Sequence, residues 1–265
     1  MAKAALNFPF SNSLGDYSAY KMKGSDKIIL RAKGGASKIK IKTDPAFERV
    51  RRNNAEFAGC SKAVSYIQRA FHGIRHLSDH NITGSLVKIS KIIQKLDTEN
   101  NHGERSILFS RHKNILGGLN FNNHPGFDAV VNLSPGFVFS RSAYRVSLLF
   151  PELFPGINLH CPANVTHYRF ISVLGIIPDV VYSGDGYMQA SEAIRYNPVS
   201  YMSDWYKTDA VSPEKVVEIS LAGDSYLDDS GSLIVSVGIE FGRMVTNTLI
   251  EPVKHSGCAK VLGLG

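Results

Sequence analysis

The spacing of apolar residues changes once along this chain, and that change limits the folds open to it. Over residues 43–112 apolar side chains recur at three, four or seven positions, near a three-and-a-half-residue period: Phe47, Val50, Phe57, Val64, Ile67, Phe71 and Ile74, then Ile82, Leu86, Ile89, Ile93 and Leu96. From residue 113 onward they alternate. Tyr144, Val146, Leu148 and Phe150 fall on one side of a run. In Leu233-Ile-Val-Ser-Val-Gly-Ile-Glu-Phe241 five large apolar residues share one face, while Ser236, Gly238 and Glu240 share the other. A helical period that gives way to a two-residue period and does not return segregates helices from strands.

The N-terminal stretch has a third texture. Tyr17–Tyr20 and Lys27–Arg31 read as short strands, with Lys23-Gly-Ser-Asp26 as the turn between them. Gly34-Gly35 ends the second strand, its glycines free to take positive φ, and Ile39-Lys-Ile41 reads as further extended chain. An isolated hairpin is marginal in water, so these strands must pack on the rest of the chain or on a neighbour. Thr43 or Asp44 then caps a helix that has Pro45 in its first turn. Within that helix Gly59 either marks a close contact or divides the segment. Other strands are expected at Phe127–Leu133, Tyr168–Phe170, Asp179–Tyr182, Val216–Leu221, Met244–Leu249 and Ala259–Leu264. The predicted fold class is α+β. An N-terminal β-hairpin or extended segment (1–42) and a basic helical hairpin (43–112) precede a C-terminal antiparallel β-sandwich (113–265).

Charge is distributed unevenly. Residues 1–115 hold 21 Lys and Arg against 9 Asp and Glu, whereas residues 116–265 hold 9 against 14. The densest stretch, Arg31–Asn54, contains eight basic residues: Arg31, Lys33, Lys38, Lys40, Lys42, Arg49, Arg51 and Arg52. These eight are the candidate partner- or anion-binding residues. Cys60, Cys161 and Cys258 lie far apart with no CxxC, which argues against a disulfide framework or a zinc ribbon and for buried thiols in a reducing compartment. The opening MAKAALNFPFSNSLGD lacks an apolar signal core, and no apolar run approaches the length of a membrane helix. The expected location is the cytoplasm, without membrane insertion.

Several short motifs also resemble those of a known family. Gly34-Gly35, Ala46-Phe47-Glu48-Arg49, Glu56-Phe57, Lys62-Ala63, Thr166-His167-Tyr168-Arg169 and Gly238-Ile239-Glu240-Phe241 occur in that order. In this the chain resembles, over nearly its whole length, a family of uncharacterised proteins from Bacteroidota. It departs from the family pattern at Arg51-Arg52-Asn53, where Arg-Glu-Asn is common, and at Asn164-Val165, where Gly-Ala is common. The resemblance implies the domain layout and no chemistry.

Other constellations weigh against an enzyme. His72, His76 and His80 are spaced four apart, and His72 with His76 is the pair that a continuous helix would stack for a metal. Ser78-Asp79-His80-Asn81 reads as a turn that removes His80, and no HExxH is present, so no metal is expected. Gly223-Asp224-Ser225 looks like a hydrolase nucleophile block, but it follows a β-run late in the chain, where a turn is the simpler reading of Ser225. Lys33–Lys38 lacks the spacing of a P-loop. Trp205, with Tyr201 and Tyr206, forms either a recognition surface or a plug on the sandwich. The expected protein is therefore non-enzymatic, without a cofactor, and structural. It self-associates into homo-oligomers or filaments through complementary basic and acidic surfaces. The alternative is a sequence-independent nucleic-acid binder using the basic segment 31–54.

Overall fold

The computed structural model describes residues 13–21, 28–192, 194, 197–221, 226–246 and 248–265. The chain divides into two compact units, Met1–Arg51 and Arg52–Gly265.

The first unit opens with a three-stranded antiparallel sheet in the order β1 (Ser13–Leu14), β2 (Tyr17–Lys21), β3 (Ile28–Ala32). Tyr20 opposes Ile29, and Ala19 opposes Leu30. The two expected strands are present; the turn Lys23–Asp26 and Lys27 lie outside the described residues. Gly35 has φ +112°, a backbone conformation that glycine takes without strain.

Ile39–Ile41, expected as extended chain, is instead helical, within α1 (Lys38–Thr43). The alternation Lys-Ile-Lys-Ile-Lys has the period of a strand, but local capping decides the outcome. The Ser37 hydroxyl accepts from Lys40 N at 3.2 Å, and Asp44 N donates to Lys40 O at 3.0 Å. Arg51 donates through one guanidinium nitrogen to the carbonyls of Ile41 and Asp44, both at 2.8 Å. Asp44 then caps the next turn by accepting from Ala46 N at 2.9 Å, with Pro45 at its first position. Among the described residues of this unit, Ala19 is the only buried apolar side chain.

The second unit is layered. The helix α2 (Glu48–Ala70), which begins in the first unit, runs without a break, and α3 (Thr83–Lys95) returns antiparallel to it, with Gln68 donating to Thr83 at one end and Lys91 to Glu56 at the other. Beyond a single helical turn, α4 (Phe127–Val130), the chain is β. The strands in order are β4 (Gly136–Ser140), β5 (Arg145–Phe150), β6 (His167–Pro178), β7 (Val180–Tyr182), β8 (Tyr187–Gln189), β9 (Val199–Met202), β10 (Tyr206–Lys207), β11 (Lys215–Ser220), β12 (Gly231–Met244), β13 (Ile250–Pro252) and β14 (Cys258–Leu264).

β6 and β12, paired over twelve positions, are the spine of a six-stranded antiparallel sheet completed by β9, β10, β13 and β14. A second sheet has the order β11-β5-β4, and β7 pairs with β8. The alternating face of β12 read from sequence (Leu233, Val235, Val237, Ile239, Phe241) lies in one core with Val146, Leu148 and Phe150 of β5 and Val217 and Ile219 of β11. The opposite face of the spine, with Ile171, Val173, Ile177 and Ile234, shares a second core with Val64, Ile67 and Phe71 from α2 and its end, and Leu86 and Ile93 from α3. Both faces of β12 are thus buried, because helices cover the side that Ser236, Gly238 and Glu240 share.

Helix and sheet meet closely through small residues. A Cβ added to Gly175 of β6 would stand 2.9 Å from the Ala70 Cβ and 3.1 Å from its Cα. At Gly59 the added atom would stand 2.7 Å from the Tyr187 ring, so this glycine marks a close contact and not a division of the helix. Phe57, assigned to the apolar stripe by spacing, is 60% exposed, and Val50 is exposed too. The buried side runs through Gly59, Cys60, Ala63, Val64, Tyr66, Ile67 and Ala70, with Gly59 and Ala70 at the close contacts.

Two expected strands differ. Phe127–Leu133 begins as α4, where Asn120 Oδ1 accepts from Phe127 N at 2.9 Å, and only Val131 bridges to Leu159. Of Met244–Leu249, Met244 ends β12 and Val245 N donates to Leu249 O at 2.9 Å, while Asn247 lies outside the described residues.

Candidate interaction surface

Of the eight basic residues singled out from sequence, seven belong to the first unit and Arg52 opens the second. Two have structural duties. Lys33 Nζ donates to Gly15 O at 2.7 Å and closes the β1–β2 turn, while Arg51 holds the end of α1. The Arg52 stem lies against Gly103, 3.0 Å from where that glycine's Cβ would be. Arg31 on β3, Lys38, Lys40 and Lys42 on α1, and Arg49 on α2 are exposed. Lys38 and Lys42 lie one turn apart on the same side of α1. Exposed apolar side chains accompany them: Tyr17, Tyr20, Leu30, Val50 and Ile39, the last at 75%.

The unit boundary sharpens the charge asymmetry. Residues 1–51 hold 11 Lys and Arg against 4 Asp and Glu, which accounts for the whole formal charge of +7, and residues 52–265 balance 19 against 19. The first unit is the cationic part of the molecule.

In the second unit the ionisable clusters hold the fold. Glu56 is fully buried and accepts from Arg105 Nε at 2.5 Å, Arg105 through a second nitrogen at 2.8 Å, Gly103 N at 3.1 Å, and Lys91. Burial pushes its carboxyl up, but the hydrogen bonds from Arg105, Lys91 and Gly103 and the Lys91 charge outweigh that and hold it at about 2. Gln94 completes the cluster by donating to the carbonyls of Glu56 at 3.3 Å and Arg105 at 3.1 Å. Sequence reading missed this hub: Glu56 is one of two acidic residues beside five basic ones in α2, and nothing in that composition marks it.

Glu240 on β12 accepts from Arg169 Nε at 2.7 Å and contacts His76 Nε2 at 3.2 Å. Burial raises its carboxyl, and the bonds from His76 and Arg169 bring it below the usual carboxylate range. The Arg169 guanidinium lies 4.5 Å from the Trp205 ring centre, and Trp205 covers Gly242 of β12. Trp205 therefore plugs onto the sheet. Asp179 is 3% exposed, accepts from the Ser110 N–H at 2.9 Å and the Ser110 hydroxyl, and is pushed up by burial. Lys260 donates to Asp128 at 2.5 Å and to Ser134 at 2.6 Å.

Candidates for chemistry fall as follows. His72 stands in the turn after α2, His76 pairs with Glu240, and His80 Nδ1 lies 2.5 Å from Asp79. Among the described residues no three His, Cys, Asp or Glu side chains come together as a metal site. Burial pushes the thiols of Cys60 and Cys161 up to about 11 and that of Cys258 to about 12, away from the reactive thiolate. Ser225 lies outside the described residues, and the loop that follows is closed by Ser230 N donating to Asp228 Oδ1 at 2.9 Å. A cavity of about 190 Å³ opens between α3 and loop 97–112, lined by Leu96, Asp97, Glu99, Ser106, Arg111 and His112. Its Asp97 carboxylate is already occupied by the N–H groups of Glu99, Asn100 and Ser106. No described helix is long and apolar enough to cross a membrane. No family model, curated protein or solved structure matches the chain.

Proposed function

We propose that this is a non-enzymatic structural protein that associates with copies of itself, its cationic N-terminal unit docking on an acidic surface of a neighbour. One observation carries this reading. The described residues of the first unit form strands and a capped helix, yet Ala19 is the only buried apolar side chain among them. A small sheet gains stability by covering one face, and fully burying a side chain such as Leu30 or Ile39 is worth about 1.5–3 kcal/mol. Residues 116–265, with 9 basic against 14 acidic side chains, supply the complementary charge. A basic patch meeting an acidic patch elsewhere on the next copy is a head-to-tail contact, which builds rings or filaments. The clusters around Glu56, Glu240 and Lys260 hold elements of the second unit together. Negative-stain microscopy of the purified protein at low salt tests the proposal: rings, fibres or discrete oligomers are expected, and isolated particles of single-chain size overturn it.

A second reading is favoured by five exposed cations on the first unit, Arg31, Lys38, Lys40, Lys42 and Arg49. It makes that unit a sequence-independent binder of nucleic acid through phosphates. Affinity for DNA or RNA then falls steeply with salt, each phosphate contact adding about 0.7–0.9 to the logarithmic slope. Replacing Lys38, Lys40 and Lys42 by Glu abolishes binding on this reading and leaves the fold intact. Unchanged binding by that variant rejects it.

A further inference from the structure

Strand β4 forms one edge of the β11-β5-β4 sheet, and among the described residues it pairs only with β5. Natural sheets blunt such edges with lysine, proline or a bulge. β4 has none of these: Gly136-Phe-Val-Phe-Ser140 is uncharged, proline-free and in continuous register with β5. The opposite edge, β11, carries Lys215 and Glu218. Val138, at the centre of β4, is 71% exposed, and it shares the outer face of the sheet with exposed Leu149 and Val216.

The strand has nearly the same order of side chains in both directions, small, Phe, Val, Phe, small. We infer that a second copy of this chain adds its own β4 to this edge, antiparallel and about a two-fold axis through Val138, so that two three-stranded sheets become one of six strands. In that register Val138 meets Val138 of the other copy, each Phe137 opposes Phe139, and each Gly136 opposes Ser140. A foreign strand would need a separately matched sequence, whereas a two-fold contact matches this one to itself. The inward rings are already seated: Phe137 lies on Gly263 and Phe139 on Gly265, where an added Cβ would collide with either ring. Adding a strand at the edge leaves those contacts in place. No like charges meet at the seam, because Arg145 and Glu218, one and two strands behind it, pair within their own copy at 2.9 Å. This contact rests on the self-association reading and adds to it an interface separate from the N-terminal unit.

The test uses the full-length chain and analytical ultracentrifugation. Val138→Lys sets two ammonium groups face to face at the centre of the seam. Because the side chain is exposed, the fold is unaffected. The expected result is a twofold drop in the mass of the smallest stable species. In a second variant, Val138→Cys, opposed residues of an antiparallel pair lie about 4.5–5.5 Å apart at Cα, within disulfide reach. Mild oxidation then yields a cross-linked dimer, while Val216→Cys, exposed on the same face but two strands from the seam, stays unlinked. If the wild type assembles but Val138→Cys links no better than Val216→Cys, or Val138→Lys keeps the wild-type mass, the β4 pairing is overturned and self-association stands. A strictly monomeric wild type overturns both and leaves this edge to a foreign strand.

Discussion

Glu56 is buried without being neutral, and the physics of that residue can be tested directly. Two cationic side chains and a backbone N–H hold its carboxyl at about 2 against an ordinary value of 4.5. A carboxyl depressed in the folded state contributes stability that is complete above about pH 4.5 and is lost as pH falls toward about 2. Acid titration of unfolding in the wild type therefore shows a loss across that window. Glu56→Gln removes this residue's share of the pH dependence, leaving that of Glu240 and the other depressed carboxylates, and lowers stability at neutral pH by about 3–5 kcal/mol, since Arg105 and Lys91 lose their counter-charge. An unchanged acid profile in this variant would show that the hub is not a stabilising unit. None of this was legible in the sequence, because Lys91 and Arg105 lie 35 and 49 positions away from Glu56 and only the return of α3 and its following loop brings them together. Lys33 and Arg51 teach a related lesson: both belong to the basic run, yet their charges serve turns and helix ends.

At the scale of elements, periodicity was informative wherever an element crosses the core and failed where local capping takes over. The alternation in β12 located the face that packs on the second sheet, but it gave no sign that helices bury the other face as well. The same alternation misassigned α1, a helix of six residues whose ends are fixed by Ser37, Asp44 and Arg51. Ser37→Ala is expected to cost this helix about 1 kcal/mol. Hydrogen exchange reads that out as roughly fivefold faster opening of the Lys40 and Ile41 amides, and unchanged rates reject the capping assignment. The apolar stripe of α2 was misplaced at Phe57 because spacing counts large side chains and passes over Gly59, Ala63 and Ala70, which share the buried side with Val64, Tyr66 and Ile67. Gly175→Val, which drives a branched side chain into Ala70, is therefore expected to lower stability by about 1–3 kcal/mol in denaturant unfolding. A neutral substitution there would mean that helix and sheet are not in close contact at this point.

For the whole molecule, the separation of helices from strands was legible and the position of the charge was only partly so. Dividing the chain at residue 115 showed a basic front and an acidic rear; dividing it at the unit boundary places the entire net charge on residues 1–51. That boundary falls inside α2, where no break in composition marks it. If this cationic unit docks on an acidic surface as proposed, that contact weakens as salt shortens the reach of charge to about 10 Å at 0.1 M. Reversing Lys38, Lys40 and Lys42 to Glu is accordingly expected to reduce particle size at low salt without changing the melting transition of the second unit. A variant that assembles as the wild type does would remove these lysines from the interface.

Sedimentation velocity of the full-length chain across a salt series is the most direct measurement. Species larger than one chain at low ionic strength, shrinking toward single chains as salt rises, are the result expected of a cationic unit docked on an acidic neighbour. A chain that sediments as a monomer at high concentration and low salt would contradict self-association outright.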